Sequence, residues 1–132
     1  MKTLIRLLFV AAAALFAAGC STVSIQSKQY LGLPQYPPTD PATVQILRQP
    51  PVAPHVKLGE ISAEPQGSPT VQEIQQKIQQ AGASMGANAV VIVVDRTMLL
   101  GATVIGGPFW GGASVVPDTG RVIIGVAIRF TP

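Results

Sequence analysis

Between Ser68 and Gly86 the apolar residues fall at Val71, Ile74, Ile78, Ala81 and Met85, alternate spacings of three and four that align them along one side of a helix. Glu73 and Gln72, Gln75, Gln76, Gln79 and Gln80 cover the rest of its circumference. One apolar stripe needs one packing partner, most simply a sheet face. The spacing predicts a helix over about Pro69–Met85. Two starts are open: Ser68 as cap with Pro69 at the first helical position, or Thr70 as cap with Glu73 reaching back in a capping box. Gly86 suits a left-handed stop.

The flanking sequence supplies strands. Thr43–Leu47 places Val44 and Ile46 on one face, and Pro50, Pro51 and Pro54 then interrupt regular structure. Val56–Ala63 reads as a second strand, with Gly59 permitting a bulge that turns Ile61 inward. Ala89–Val94 is almost continuously β-branched, the pattern of a strand buried on both faces or central in a sheet. Arg121–Phe130 alternates, with Val122, Ile124, Val126 and Ile128 on one face and Gly125, Ala127 and Arg129 on the other.

Residues 97–120 are apolar and Gly-rich. A straight strand from Ala89 to Ile105 would run ~56 Å at ~3.3 Å per residue, against a radius of gyration near ~13 Å for a domain of this size. It must bend, break near Asp95-Arg96, or leave the body. The preferred arrangement is a twisted hairpin extension with Gly106–Gly112 at its tip. The fold class expected is α+β: a small, mainly antiparallel sheet in the order β-β-α-β-β, with one helix on one face.

Upstream, Lys2 and Arg6 precede an uncharged apolar run, Leu7–Phe16, and then the small residues Ala17-Ala18-Gly19. That is the architecture of a secretory signal. The run Leu7–Ala18 is short of the ~20 apolar residues a spanning helix needs. The chain has a single cysteine, so no intramolecular disulfide can form. Phe16-Ala17-Ala18-Gly19-Cys20 resembles the bacterial lipobox, with Ala17 where an aliphatic residue is usual and Leu15 two places earlier. The resemblance implies cleavage between Gly19 and Cys20, removal of residues 1–19, and three acyl chains on Cys20. One chain binds membranes marginally, at ~0.8 kcal/mol per buried CH₂, and further chains make anchoring stable. In enteric-type sorting an Asp after the cysteine favours the inner membrane, so Ser21 points to the periplasmic leaflet of the outer membrane, with inner-membrane anchoring the alternative. Residues 20–43 are expected to form a lipidated, Pro-rich tether, since Leu33–Pro41 holds four prolines and should be extended and stiff. The domain is then 44–132.

A second resemblance lies in Val56-Lys57-Leu58-Gly59-Glu60-Ile61, the polar helix, and Met85-Gly86-Ala87-Asn88-Ala89-Val90-Val91. Over about 56–94 this is similar to the core of the outer-membrane lipoproteins that sense envelope stress for the Rcs phosphorelay, and to small YbjQ-type domains described as heavy-metal-binding. The resemblance implies a strand, a helix, and a Gly-Ala-Asn-Ala turn into the next strand. The stress sensor is braced by disulfides, which this chain cannot form, and one His with scattered acids does not make a metal site.

Composition narrows the function classes. Without Lys2 and Arg6, seven Lys/Arg face six Asp/Glu, and no basic cluster remains for nucleic acid. No G-x-S-x-G occurs. Gly106-Gly107 and Gly111-Gly112 lack the Lys and following helix of a phosphate loop. Asp95-Arg96 reads as a local ion pair or a solvated strand end.

No catalytic residue, cofactor or metal is therefore expected. The leading expectation is a non-enzymatic envelope lipoprotein for protein interaction, envelope sensing or structure. It would bind an envelope protein or a second copy through sheet edge and hairpin, with Phe109 and Trp110 as contact residues. The alternatives are a ligand-binding or hydrolytic domain using His55 beside Glu60 or Asp95, and a structural protein whose hairpin tip enters lipid.

Overall fold

The computed structural model describes residues 21–105 and 114–132. Strands β1 (Thr22–Gln29), β2 (Gln45–Leu47) and β3 (His55–Gln66) lead to helix α1 (Val71–Ser84), followed by β4 (Ala89–Ile105) and β5 (Ser114–Phe130). They form one sheet in the order β1-β3-β5-β4-β2. Every pairing is antiparallel except β2 with β4, which is parallel. The fold is α+β, with one α-helix and a short 3-10 turn at Pro41–Thr43 among the described residues.

The helix starts at the second of its two candidate caps. The Thr70 hydroxyl accepts from the Glu73 backbone N–H at 3.2 Å, and the Glu73 carboxylate accepts from the Thr70 N–H at 2.6 Å, completing the capping box. The helix stops in a Schellman motif. Gly86, at φ +80°, donates to the Ala83 carbonyl, and Ala87 donates to that of Gly82.

The buried face of α1 is Ile74, Ile78, Gly82 and Ala83, followed by Met85. Val71, expected on the stripe, is 60% exposed in the first turn, where it lines a shallow crevice with Ile46, Ile92 and Arg121. Gly82 carries the stripe instead. A Cβ on Gly82 would lie 2.8 Å from Val90 Cγ2, and one on Gly125 would lie 2.6 Å from Val90 Cγ1. Val90 is thus held between a glycine of the helix and a glycine of the sheet, which brings the two layers close. Leu58, Ile61, Ala63, Ile123 and Ala127 complete this core.

The bulge expected at Gly59 is present: the register moves from Lys57↔Ile128 to Gly59↔Ala127, and Ile61 is buried. Of the run Ala89–Val94, the first three residues are buried, whereas Val93 is 56% exposed at a second bulge between Ile92 and Val94. On the face away from α1, Ala89, Val91 and Ile128 form a smaller cluster with Leu47, Val126 and Phe130.

Among the described residues, 21–43 pack on the domain rather than forming a free tether, so the folded unit begins ahead of residue 44. Thr22–Gln29 is an edge strand fully paired with β3, from Thr22↔Gln66 to Gln29↔Gly59. Val23 and Ile25 turn toward the core cluster while Ser24 and Gln26 face solvent. The Pro-rich segment then straps the C-terminal end of α1. Thr39 donates from its N–H to the Ala83 carbonyl (2.9 Å) and from its hydroxyl to the Ala87 carbonyl (2.7 Å). The Arg129 guanidinium lies 4.6 Å from the Tyr36 ring centre and donates to the Gly86 carbonyl at 2.7 Å. Proline removes a ladder donor, but an extended Pro-rich chain can still pack through its side chains and its remaining N–H groups.

Candidate functional site

The register gives the domain two unlike ends. At one end the strap, the turn 86–88, the start of β3 and the end of β5 are stitched together. Asn88 donates from its N–H to the Ile128 carbonyl and accepts at its side-chain oxygen from the Phe130 N–H, while Thr131 donates to the Pro54 carbonyl. At the other end lie Thr22, Gln66, the N-terminus of α1, and the point where β4 and β5 leave the sheet.

Beyond that point β4 and β5 continue as a ribbon. They stay paired through Met98↔Gly120, Ala102↔Pro117 and Ile105↔Ser114, with a bulge between Leu99 and Gly101. The register puts Gln66, the last residue of β3, level with Gly120, so from Leu99 outward the two strands pair only with each other. The projection past Thr22 is ~20 Å. The hairpin extension expected from the length of the strand is therefore present, and the last strand begins at Ser114 rather than Arg121. Phe109 and Trp110, with the glycine pairs, lie outside the described residues, as do Gly19 and Cys20.

Both ribbon faces expose apolar side chains. Successive strand residues point to opposite faces, so Leu99 (68% exposed) and Val115 (64%) share the helix side, and Met98 (39%) and Val116 (45%) the other. Between Arg96 and Asp118 the sequence has no charged residue.

A carboxylate with two arginines clasps the base of the ribbon. Asp95 accepts from Arg121 Nε at 2.8 Å and Nη2 at 2.9 Å, and from Arg48 Nη1 at 3.1 Å. These bonds hold the Asp95 carboxyl below the usual carboxylate range against a smaller opposing effect of burial, and Asp95 in turn raises Arg121. The clasp ties β4, β5 and β2 together where the sheet narrows to two strands. Arg96, the expected partner of Asp95, is not one of these: as the next strand residue it points to the opposite face.

Beside the clasp, a groove of about 560 Å³ is lined by Pro65, Gln66, Ser68, Pro69, Ile74 and Arg121, among others. Its polar side chains are ordinary surface groups, and Arg121 is already committed to Asp95.

His55 is at the opposite end. One ring nitrogen contacts the Ala53 carbonyl at 2.8 Å, and its cross-strand partner is Phe130. Glu60 lies five residues further along β3, ~16 Å away, and Asp95 is engaged by its arginines. The structure does not bring His55 and an acid together. Among the described residues no group of three or more His, Cys, Asp or Glu could hold a metal ion. The cation–π contact of Arg129, the Arg48–Asp95–Arg121 clasp and the strap were not visible in the sequence, since each joins residues far apart in the chain.

No family model and no curated protein matches this chain. Among solved structures it is similar to the crystal structure of the Francisella virulence factor FvfA, with a TM-score of 0.51 and 12% identity, over 80% of this chain and 97% of that one. At that identity the likeness concerns the fold alone.

Proposed function

We propose that this chain is a membrane-anchored envelope lipoprotein and a non-enzymatic module, with Cys20 acylated after removal of residues 1–19 and the ribbon as its contact element. The observation that carries the reading is the lone cysteine directly behind Ala17-Ala18-Gly19, two residues ahead of an edge strand. A lone cysteine in an exported chain needs a use, and acylation at the first mature residue is one. An uncharged apolar ribbon projecting from a domain with a well-filled core supports the interaction part, because contiguous exposed apolar surface on a small protein usually marks a contact. Ser21 supports the periplasmic leaflet of the outer membrane.

Intact-mass analysis of protein purified from membranes tests the anchor. The expected mass is that of a chain starting at Cys20 plus its acyl groups, and Cys20→Ser abolishes the modification. An unmodified mature protein recovered in the soluble fraction overturns the reading.

A further inference from the structure

We infer that the ribbon is a second membrane contact: with Cys20 acylated, Leu99 and Val115 on one face and Met98 and Val116 on the other are immersed in the interfacial zone of the same bilayer. The inference rests on the anchoring proposed above and goes on to name what the ribbon touches.

Placement is the first argument. Thr22 pairs with Gln66 at the end of the sheet from which the ribbon departs, so anchor and ribbon leave the domain at the same end. Only Ser21 separates Cys20 from β1, so the anchor lies within ~7 Å of Thr22. The ribbon begins about two strand spacings away in the sheet, ~10 Å, and projects ~20 Å further than Thr22 in the same direction. An anchor so short holds this end at the bilayer, within the ribbon's reach.

Chemistry is the second argument. A protein partner ordinarily covers one face of a ribbon and leaves the other polar. Here Leu99 and Val115 on one face and Met98 and Val116 on the other are all exposed, and charge is absent from Thr97 to Pro117. Lipid wets both faces equally. Depth is limited by the backbone: each outer edge of a two-stranded ribbon carries unpaired N–H and C=O groups, which are expensive in hydrocarbon. The ribbon therefore lies along the headgroup–acyl boundary, where interfacial elements bury ~5–10 Å, rather than standing upright through it. Charge returns with Asp118, which pairs with Gly101 within the ribbon and belongs at headgroup level, and with Arg96 and Arg121 at its base.

The test uses the mature acylated protein in phosphatidylcholine–phosphatidylglycerol vesicles, with the single native tryptophan changed by Trp110→Phe. Reporters are Leu99→Trp and Val116→Trp, one on each face, and Val52→Trp at the opposite end, where Val52 is fully exposed. The expected result is blue-shifted emission, quenched by dibrominated phosphatidylcholine, at both ribbon positions, with water-like and unquenched emission from Val52→Trp. Unchanged circular dichroism certifies the fold of each variant. Water-like emission at the ribbon of an acylated, vesicle-bound protein overturns the ribbon contact and leaves the anchor standing. Quenching at one face alone overturns immersion. Blue-shifted but unquenched emission, with a dimer mass, assigns the ribbon to a second copy instead. Acylated protein that nevertheless leaves the vesicles, or native protein recovered from cells without acyl groups on Cys20, overturns the anchor, and the ribbon proposal with it.

Discussion

The two ends of this domain are built on opposite principles. The end around Tyr36, Gly86 and Arg129 gathers four chain segments, satisfies the last helix carbonyls with the Schellman bonds and the Thr39 N–H, and satisfies the turn carbonyls of Gly86 and Ala87 with Arg129 and the Thr39 hydroxyl. The end around Asp95 and Arg121 sheds neighbours until two strands remain, held at their root by charge rather than by apolar packing. Hydrogen-bonded stitching is concentrated at the first end, and uncovered apolar surface lies at the second, where the chain enters the fold. In a small domain with little core to spare, that division leaves the ribbon free to change without loosening the body.

Substitutions at the two ends should separate stability from contact. Gly125→Val is expected to have the largest effect, about 3 kcal/mol in urea unfolding, because the new side chain meets Val90. A cost under ~1 kcal/mol would show that the helix and sheet are less closely stacked than described. Tyr36→Ala is expected to cost about 2 kcal/mol; a neutral result would restore the strap to the status of a loose linker. Thr39→Val should cost about 1 kcal/mol by removing the hydroxyl bond to the Ala87 carbonyl.

Asp95→Asn should cost under about 1 kcal/mol, since Arg48 and Arg121 are solvent-exposed and screened. Its signature is in pH. The folded-state pKa of Asp95 is lowered, so its stabilisation is present above the unfolded value near ~3.9 and is lost as pH falls through the folded value below that. The gap between wild type and Asp95→Asn in urea should therefore close on going from neutral pH to the acid side of that window. A gap independent of pH would mean the asparagine acts through packing. Smallest of all, Leu99→Ser should leave stability within ~0.5 kcal/mol, because its native side chain is already in water. A larger loss would place the ribbon in the folding core and erase the contrast between the ends.

The sequence made the regular parts readable wherever one period ran long enough. The helix, the start of β4 and the paired hairpin followed from the 3.6 and 2.0 spacings and from the length limit on a straight strand. What was missed has a common physical cause. β1 offers only Val23 and Ile25 as alternating apolar residues before Ser27 and Gln29 break the pattern. The helix stripe was drawn through Val71 and Ala81 because Gly82 has no side chain to signal burial. The Asp95 clasp joins positions separated by 47 and 26 residues, and only the adjacent Arg96 was visible as a partner. Prolines in residues 33–41 signalled extension correctly, but extension does not decide whether a segment is solvated or packed.

The way β1 opens the fold limits the protein's radius of action. If Cys20 carries lipid, no slack remains for the domain to swing out and search the surrounding space. Whatever it meets must be embedded in, or brought up to, the same leaflet, and Val52, fully exposed at the far end of the sheet, becomes the natural point from which an attached reporter would look outward.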